Sequence, residues 1–209
     1  IIMAKESAGS ERLYNIIFLF FLISFAGWCA ETLYFLARWQ EFADRGFLTL
    51  PLCTIYGSSA LLVYFALGTP RGGRLAPLYE RTARLRIVPR IAATAGLYLL
   101  YFIFAALLPA AAEFFVALFF DKLCGVKLWD YSYRPYNLCG YVCLSQTILW
   151  GLLLTLGMST AWDPLYAAVN KIPQRAKKIL IFTLTALALA DLAVNAAFLA
   201  VTGTHFLLF

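Results

Sequence analysis

A bundle of about five transmembrane α-helices is the fold class this sequence predicts, on three observations. The first is composition: of 209 residues, 63% are hydrophobic and 13% charged, against about 25% charged in an ordinary soluble domain. A soluble core of this size cannot hide that much apolar surface, so the chain needs hydrocarbon around it. The second is a series of long apolar runs. The third is that the net charge of +6 is concentrated in two short stretches between those runs, a pattern that suits an anionic membrane surface. No basic patch alternates with stacking aromatics outside the apolar segments, which excludes a nucleic-acid role.

The helices are expected over about 13–38, 54–69, 88–120, 139–158 and 179–202, within a single transmembrane domain of residues 1–209. The first run is too long for a signal-peptide core and lacks a small-residue cleavage motif, so it reads as a retained helix. The second is short for a span. The third contains Pro109 and Glu113. After the fourth, Thr160-Ala-Trp-Asp163 has capping-box spacing ahead of Pro164, which predicts a stop near Thr160 and a short interfacial helix over about 161–171. The stretch 70–90 holds Arg71, Arg74, Arg81, Arg84, Arg86 and Arg90 against Glu80. The stretch 170–178 holds Lys171, Arg175, Lys177 and Lys178 without an acid. If all the runs span, both basic stretches fall on one side. The positive-inside rule then places them and the N-terminus in the cytoplasm and the C-terminus outside. Topology control is the plain use of these charges; docking of lipid or of a cytoplasmic partner is the other.

Glu31, Glu113 and Asp191 lie inside apolar runs. An ionised carboxylate at the bilayer centre costs about 2.5–3.5 kcal/mol on insertion scales, so such groups turn toward protein, pair or protonate. Glu31 and Glu113 each sit about 10 Å inside the outer end of their helices, from a rise of 1.5 Å per residue. Facing each other, they would raise a pKa and provide a proton carrier or cation ligand. The competing use is structural, as acceptors for Tyr, Trp or backbone donors. Pro109, one turn before Glu113, interrupts the helix ladder there. Asp191 and Asn195, one turn apart, read as polar glue between helices.

Two outward connections are too apolar and aromatic for ordinary loops. Arg45 to Gly57 contains Pro51 and Tyr56 and is expected to lie in the interface or dip back between helices. Leu128 to Gly140 gathers Trp129, Asp130, Tyr131, Arg134, Pro135 and Asn137; Asp130 is placed to fix a turn. The order Glu31, Pro51, Gly57 parallels Glu113, Pro135, Gly140. A parallel two-helix repeat would bring both glutamates and both loops around one cavity.

The segments Gly27-Trp28-x-x-Glu31-Thr32, Arg45-Gly46-Phe47-Leu48-x-x-Pro51-Leu52-Cys53-x-Ile55-Tyr56-Gly57 and Trp129-Asp130-Tyr131-Ser132-x-x-Pro135-x-Asn137-Leu138-x-Gly140 resemble the bacterial inner-membrane family described as "putative ABC-transporter type IV", or CmpB-like. The resemblance runs from about residue 18 to 165. It implies a transporter permease and marks Glu31, Arg45, Pro51, Tyr56, Glu113, Trp129, Asp130, Tyr131 and Asn137. Two positions depart from the family pattern: Cys139, where a polar residue is more usual, and Thr54, where Pro is common.

No G-x-x-x-x-G-K-[ST] loop is present, so the polypeptide is not itself an ATPase. An ABC role calls for a separate ATPase or other membrane subunit at 70–90 and 159–178. A homo-oligomer stays open. Cys53, Cys124, Cys139 and Cys143 fall toward the outer side without close C-x-x-C spacing, so no metal and no cofactor is expected, and packed thiols are favoured over a Cys124–Cys139 disulfide. His205 is the sole histidine, which excludes triads built on His. No catalytic residue is assigned. The expected role is a permease subunit with a carboxylate-lined site in the outer half, made of Glu31, Glu113, Asp130, Arg45, Tyr56, Tyr131, Asn137 and Trp129. Pro51, Gly57, Pro135, Gly140, Pro109 and Asp191 are the expected structural residues. The alternatives are a non-catalytic partner or regulatory subunit, and a membrane-embedded enzyme acting on a lipid-like substrate.

Overall fold

The computed structural model describes residues 2–40, 42 and 46–204, with side chains from residue 9 onward. The helices are α1 (Ile2–Trp39), α2 (Thr54–Leu67), α3 (Ala76–Thr82), α4 (Ile87–Phe119), α5 (Leu144–Leu156), α6 (Trp162–Asn170) and α7 (Gln174–Thr202). A small hairpin of β1 (Asn137–Leu138) and β2 (Val142–Cys143) precedes α5. Among the described residues, four stretches are long and apolar enough to cross a membrane: Gly9–Trp39, Ile87–Cys124, Leu144–Asn170 and Gln174–Thr202. The protein is therefore a multi-pass helical membrane protein. The fifth expected span, α2, has 14 residues and rises about 21 Å, short of the roughly 30 Å of a hydrocarbon core.

Two boundaries differ from the sequence expectation. The fourth helix does not open near Gly140, because residues 137–143 are held in the hairpin by the antiparallel pairs Asn137↔Cys143 and Leu138↔Val142. Cys139 (φ 57°) and Gly140 (φ 74°) make its turn, and the Tyr141 N–H bonds the Leu138 carbonyl at 3.0 Å. Positive φ at both central residues is the turn that matches strand twist. Nor does the chain stop near Thr160. A π-helical turn, Gly157–Ala161, joins α5 to α6, and Trp162 is itself helical. The Thr160 hydroxyl bonds back to the Leu156 carbonyl at 2.8 Å instead of capping a new helix. The wider turn lies directly ahead of Pro164, whose ring removes a ladder donor; absorbing such a break is a common use of π geometry.

The chain folds as two compact units. The first comprises residues 1–58, 119–128 and 165–209, with α1 and α7 in contact. On α7, residues 177, 181, 184, 188, 191, 195 and 199 recur at the three-and-four spacing of one helix face, and each is buried or half-buried. Phe21, Leu48 and Leu52 form a core with Ile17, Phe20, Leu50, Leu184 and Ala188 around it. The segment after α1 thus packs inward on α1 and α7.

The second unit comprises residues 59–118 and 129–164. On α4, Tyr101, Ala105, Pro109, Glu113 and Ala117 are buried at four-residue intervals, a narrow stripe of mostly small residues that allows close helix approach. A Cβ on Gly151 of α5 would meet Phe102 and Ala106 of α4 at 2.7 and 2.8 Å. The Tyr101 hydroxyl bonds the Gly68 carbonyl at 2.7 Å and holds the end of α2, while Tyr64 stacks on Trp162 with centroids 4.3 Å apart.

Candidate functional site

Each unit places a tyrosine hydroxyl on a glutamate carboxylate. In the first unit, Glu31 lies in α1 and Tyr56 in the first turn of α2. The Tyr56 hydroxyl donates to Glu31 Oε1 at 2.9 Å. Gly27, one turn before Glu31, makes this reach possible: a Cβ there would lie 2.4 Å from the Tyr56 ring. Gly57 is equally constrained, since its Cβ would fall 2.4 Å from Ser24 Oγ and 2.5 Å from the Phe20 carbonyl oxygen. With no side chain at 27 and 57, α1 and α2 come close enough for the phenol to span the gap.

In the second unit, Glu113 is buried on the inner stripe of α4, and the Tyr131 hydroxyl donates to its Oε1 at 3.3 Å. The loop 129–140 is built to present that tyrosine. The Tyr131 N–H bonds the Gly140 carbonyl at 2.8 Å, and the Trp129 indole N–H bonds the Tyr141 carbonyl at 2.8 Å. Asp130 Oδ1 accepts the Ser132 N–H at 2.8 Å. Asn137 donates to the Arg134 carbonyl at 2.7 Å and accepts from the Gly140 N–H at 3.0 Å. Gly140 leaves room for the Asp130 carboxylate, which a Cβ would meet at 2.8 Å. Trp129, Asp130 and Asn137, expected beside the ligand, therefore each hold loop backbone. Pro135, also on this loop, is exposed.

The third buried acid has a different partner from the one expected. Asp191 takes the Asn195 amide at 3.0 Å, as the one-turn spacing suggests. It also accepts the Thr49 hydroxyl and, at 2.9 Å, the Leu50 N–H. A carboxylate inside a helix thus fixes the loop 46–53, which the Cys53 N–H anchors again on the Ser24 carbonyl of α1 at 3.1 Å. Asp191 lies eleven residues before the end of α7, or about 16 Å along the axis, so the loop dips well below that end. Pro51 lines an apolar groove of about 370 Å³ with Phe18, Phe25, Leu184 and Leu187.

Arg45 and His205 lie outside the described residues. All five cysteines are free thiols, so the Cys124–Cys139 bond is not formed. No cluster of three or more metal-ligating side chains occurs among the described residues. One polar node was not anticipated from the sequence. The fully buried Lys177 ammonium donates to Asn15 Oδ1, and Asn15 Nδ2 donates to Asn170 Oδ1 at 2.8 Å. Lys177 counts as a loop charge by position, yet it occupies the first position of the inner α7 stripe. That spacing was the signal that could have found it.

The family model described as "Putative ABC-transporter type IV" matches residues 18–196. No curated protein and no solved structure matches the chain. The matched span takes in both glutamates, both tyrosines and Asp191, and most of the chain, so this protein belongs to the "putative ABC-transporter type IV" membrane family.

Proposed function

We propose that the chain is a transporter permease subunit whose permeant or coupling proton is handled at two carboxylate sites, Glu31 with Tyr56 and Glu113 with Tyr131, in the outer half of the membrane. The single observation that carries this reading is the repetition of one polar pair, a phenol on a carboxylate, in each unit. A carboxylate held by one phenol donor can take a proton or a cation in its place, with the phenol turning away as the new partner arrives. Arg45, Trp129, Asp130 and Asn137 belong to the same outward loops and shape the approach to the acids. Pro109 interrupts α4 one turn before Glu113. In this proposal the two pairs are equivalent members of a parallel two-helix repeat.

In this proposal the N-terminus and the basic stretches 70–90 and 159–178 face the cytoplasm and the C-terminus faces outward. A separate ATPase subunit docks on the cytoplasmic stretches, since the chain has no phosphate loop of its own. The test is flux through proteoliposomes that contain the full-length protein, alone and with any ATPase recovered by cross-linking from those stretches. An internal pH dye and a panel of monovalent and divalent cations provide the readout. The wild type is expected to pass protons or a cation. Glu31→Gln and Glu113→Gln are each expected to lower that flux at least tenfold while the protein still accumulates and melts normally. Vesicles that stay tight under every condition, together with Gln variants that fail to accumulate, would overturn the reading in favour of structural acids in a partner subunit.

A further inference from the structure

The basic stretch before α4 has properties that topology control does not require. Arg71, Arg74, Arg81, Arg84, Arg86 and Arg90 are all exposed, and none forms a salt bridge with a described residue. Large apolar side chains are interleaved with them: Leu85 is exposed, and Ile87 and Val88 are 76% and 77% exposed. Guanidiniums set among exposed aliphatics at the mouth of a spanning helix match a lipid surface, where the cation meets headgroups and the aliphatic part enters the acyl region.

One place in this stretch is more than a charge run. The Arg71 guanidinium lies over the Tyr98 ring, 5.9 Å from its centroid, and Tyr79 packs edge-on against the same ring at 5.7 Å. The Tyr79 hydroxyl is shielded from solvent and makes no hydrogen bond to any described residue. Burial pushes its pKa above the ordinary value and Tyr98 adds to that, while Arg71 works in the opposite direction. Arg71 and Tyr79 are thus held against one ring, and no described residue accepts from the Tyr79 hydroxyl. A phosphate oxygen would supply that acceptor.

We propose that Arg71 and Arg74 bind the phosphate of an anionic phospholipid headgroup, with Tyr79 turning its hydroxyl out of the shielded position to donate to it and the arginines of 81–90 extending the contact along the membrane surface. The inference does not depend on the carboxylate sites. Its test is native mass spectrometry of the full-length protein in mild detergent with equimolar phosphatidylglycerol and phosphatidylcholine. The wild type is expected to retain the anionic lipid preferentially. Arg71→Gln with Arg74→Gln is expected to lower that retention about fivefold per arginine, from the usual contribution of one basic residue at an anionic surface. Arg71→Lys with Arg74→Lys keeps the charge and loses the planar fork, so it is expected to fall between them. Should the Gln pair misfold, Tyr79→Phe still decides: it keeps the ring and all charges and is expected to lower anionic-lipid retention severalfold at an unchanged melting temperature. Equal retention of the two lipids overturns the proposal, as does insensitivity to both the Gln pair and Tyr79→Phe. Cross-linking of the stretch to a soluble subunit, with no preference for anionic lipid, would show a protein interface instead.

Discussion

At the scale of single residues, Gly27 and Tyr56 act as one device. The missing side chain at 27 is what seats the ring, and the ring is what carries a hydroxyl to Glu31. Gly27→Ala puts a methyl group 2.4 Å from that ring and is expected to cost about 1–3 kcal/mol of stability through overpacking. Tyr56→Phe keeps the packing and removes only the donor to the acid. Its expected cost is about 1.5–3 kcal/mol if Glu31 is ionised, the range for hydrogen bonds to charged groups, and less if it is neutral. Thermal melts of both variants in detergent check this, and a Tyr56→Phe variant that melts with the wild type would show that the hydroxyl contributes nothing to holding the pair. Asp130 and Asn137 illustrate a different economy, in which polar side chains of an exposed loop satisfy backbone groups so that one neighbour, Tyr131, can point inward.

At the scale of elements, α7 is organised by one stripe on which Lys177, Asp191 and Asn195 replace apolar residues. Lys177 has three donors and, among the described residues, one side-chain acceptor, Asn15. Asn15→Leu should therefore cost about 1.5–3 kcal/mol, the range for losing a hydrogen bond to a charged group. Lys177→Met in the same background should restore much of that loss, because an apolar pair of similar volume often matches a buried polar one. A double-mutant cycle read by denaturation in detergent checks the sign, and additive penalties would show that the two side chains do not interact. This element also shows how much of the protein was legible in advance. The apolar runs, the acids turned toward protein partners and the odd apolar loops follow from residue type, because hydrocarbon punishes polarity wherever it occurs. The α5 boundary did not follow, since nothing in the apolar run over 139–143 says that Cys139 and Gly140 will both take positive φ. The partner of Asp191 did not follow either. Thr49 and Leu50 are 142 and 141 residues away, and single-sequence periodicity carries no information about such pairings.

At the scale of the whole molecule, the open count is whether α2 crosses. If α4 and the α5–α6 helix both cross, as their lengths allow, both basic stretches fall on one side however α2 behaves. What α2 decides is whether the N-terminus shares that side. Its 14 residues are too few alone, but it starts from a loop tied to Asp191 about 16 Å below the end of α7, so loop and helix together have the reach. Ser10→Cys and Gly72→Cys, each in a background lacking the native thiols, are therefore expected to react with an impermeant maleimide from the same face of oriented vesicles. Reaction from opposite faces would establish a four-span topology. The clip at Asp191 also sets an order of assembly. At about 5–20 residues per second of synthesis, the 142 residues separating Thr49 from Asp191 take roughly 7–30 s to make. For that interval the nascent chain holds an apolar loop whose carboxylate anchor does not yet exist. The loop 46–53 must wait in the membrane for the last helix before it can be pinned.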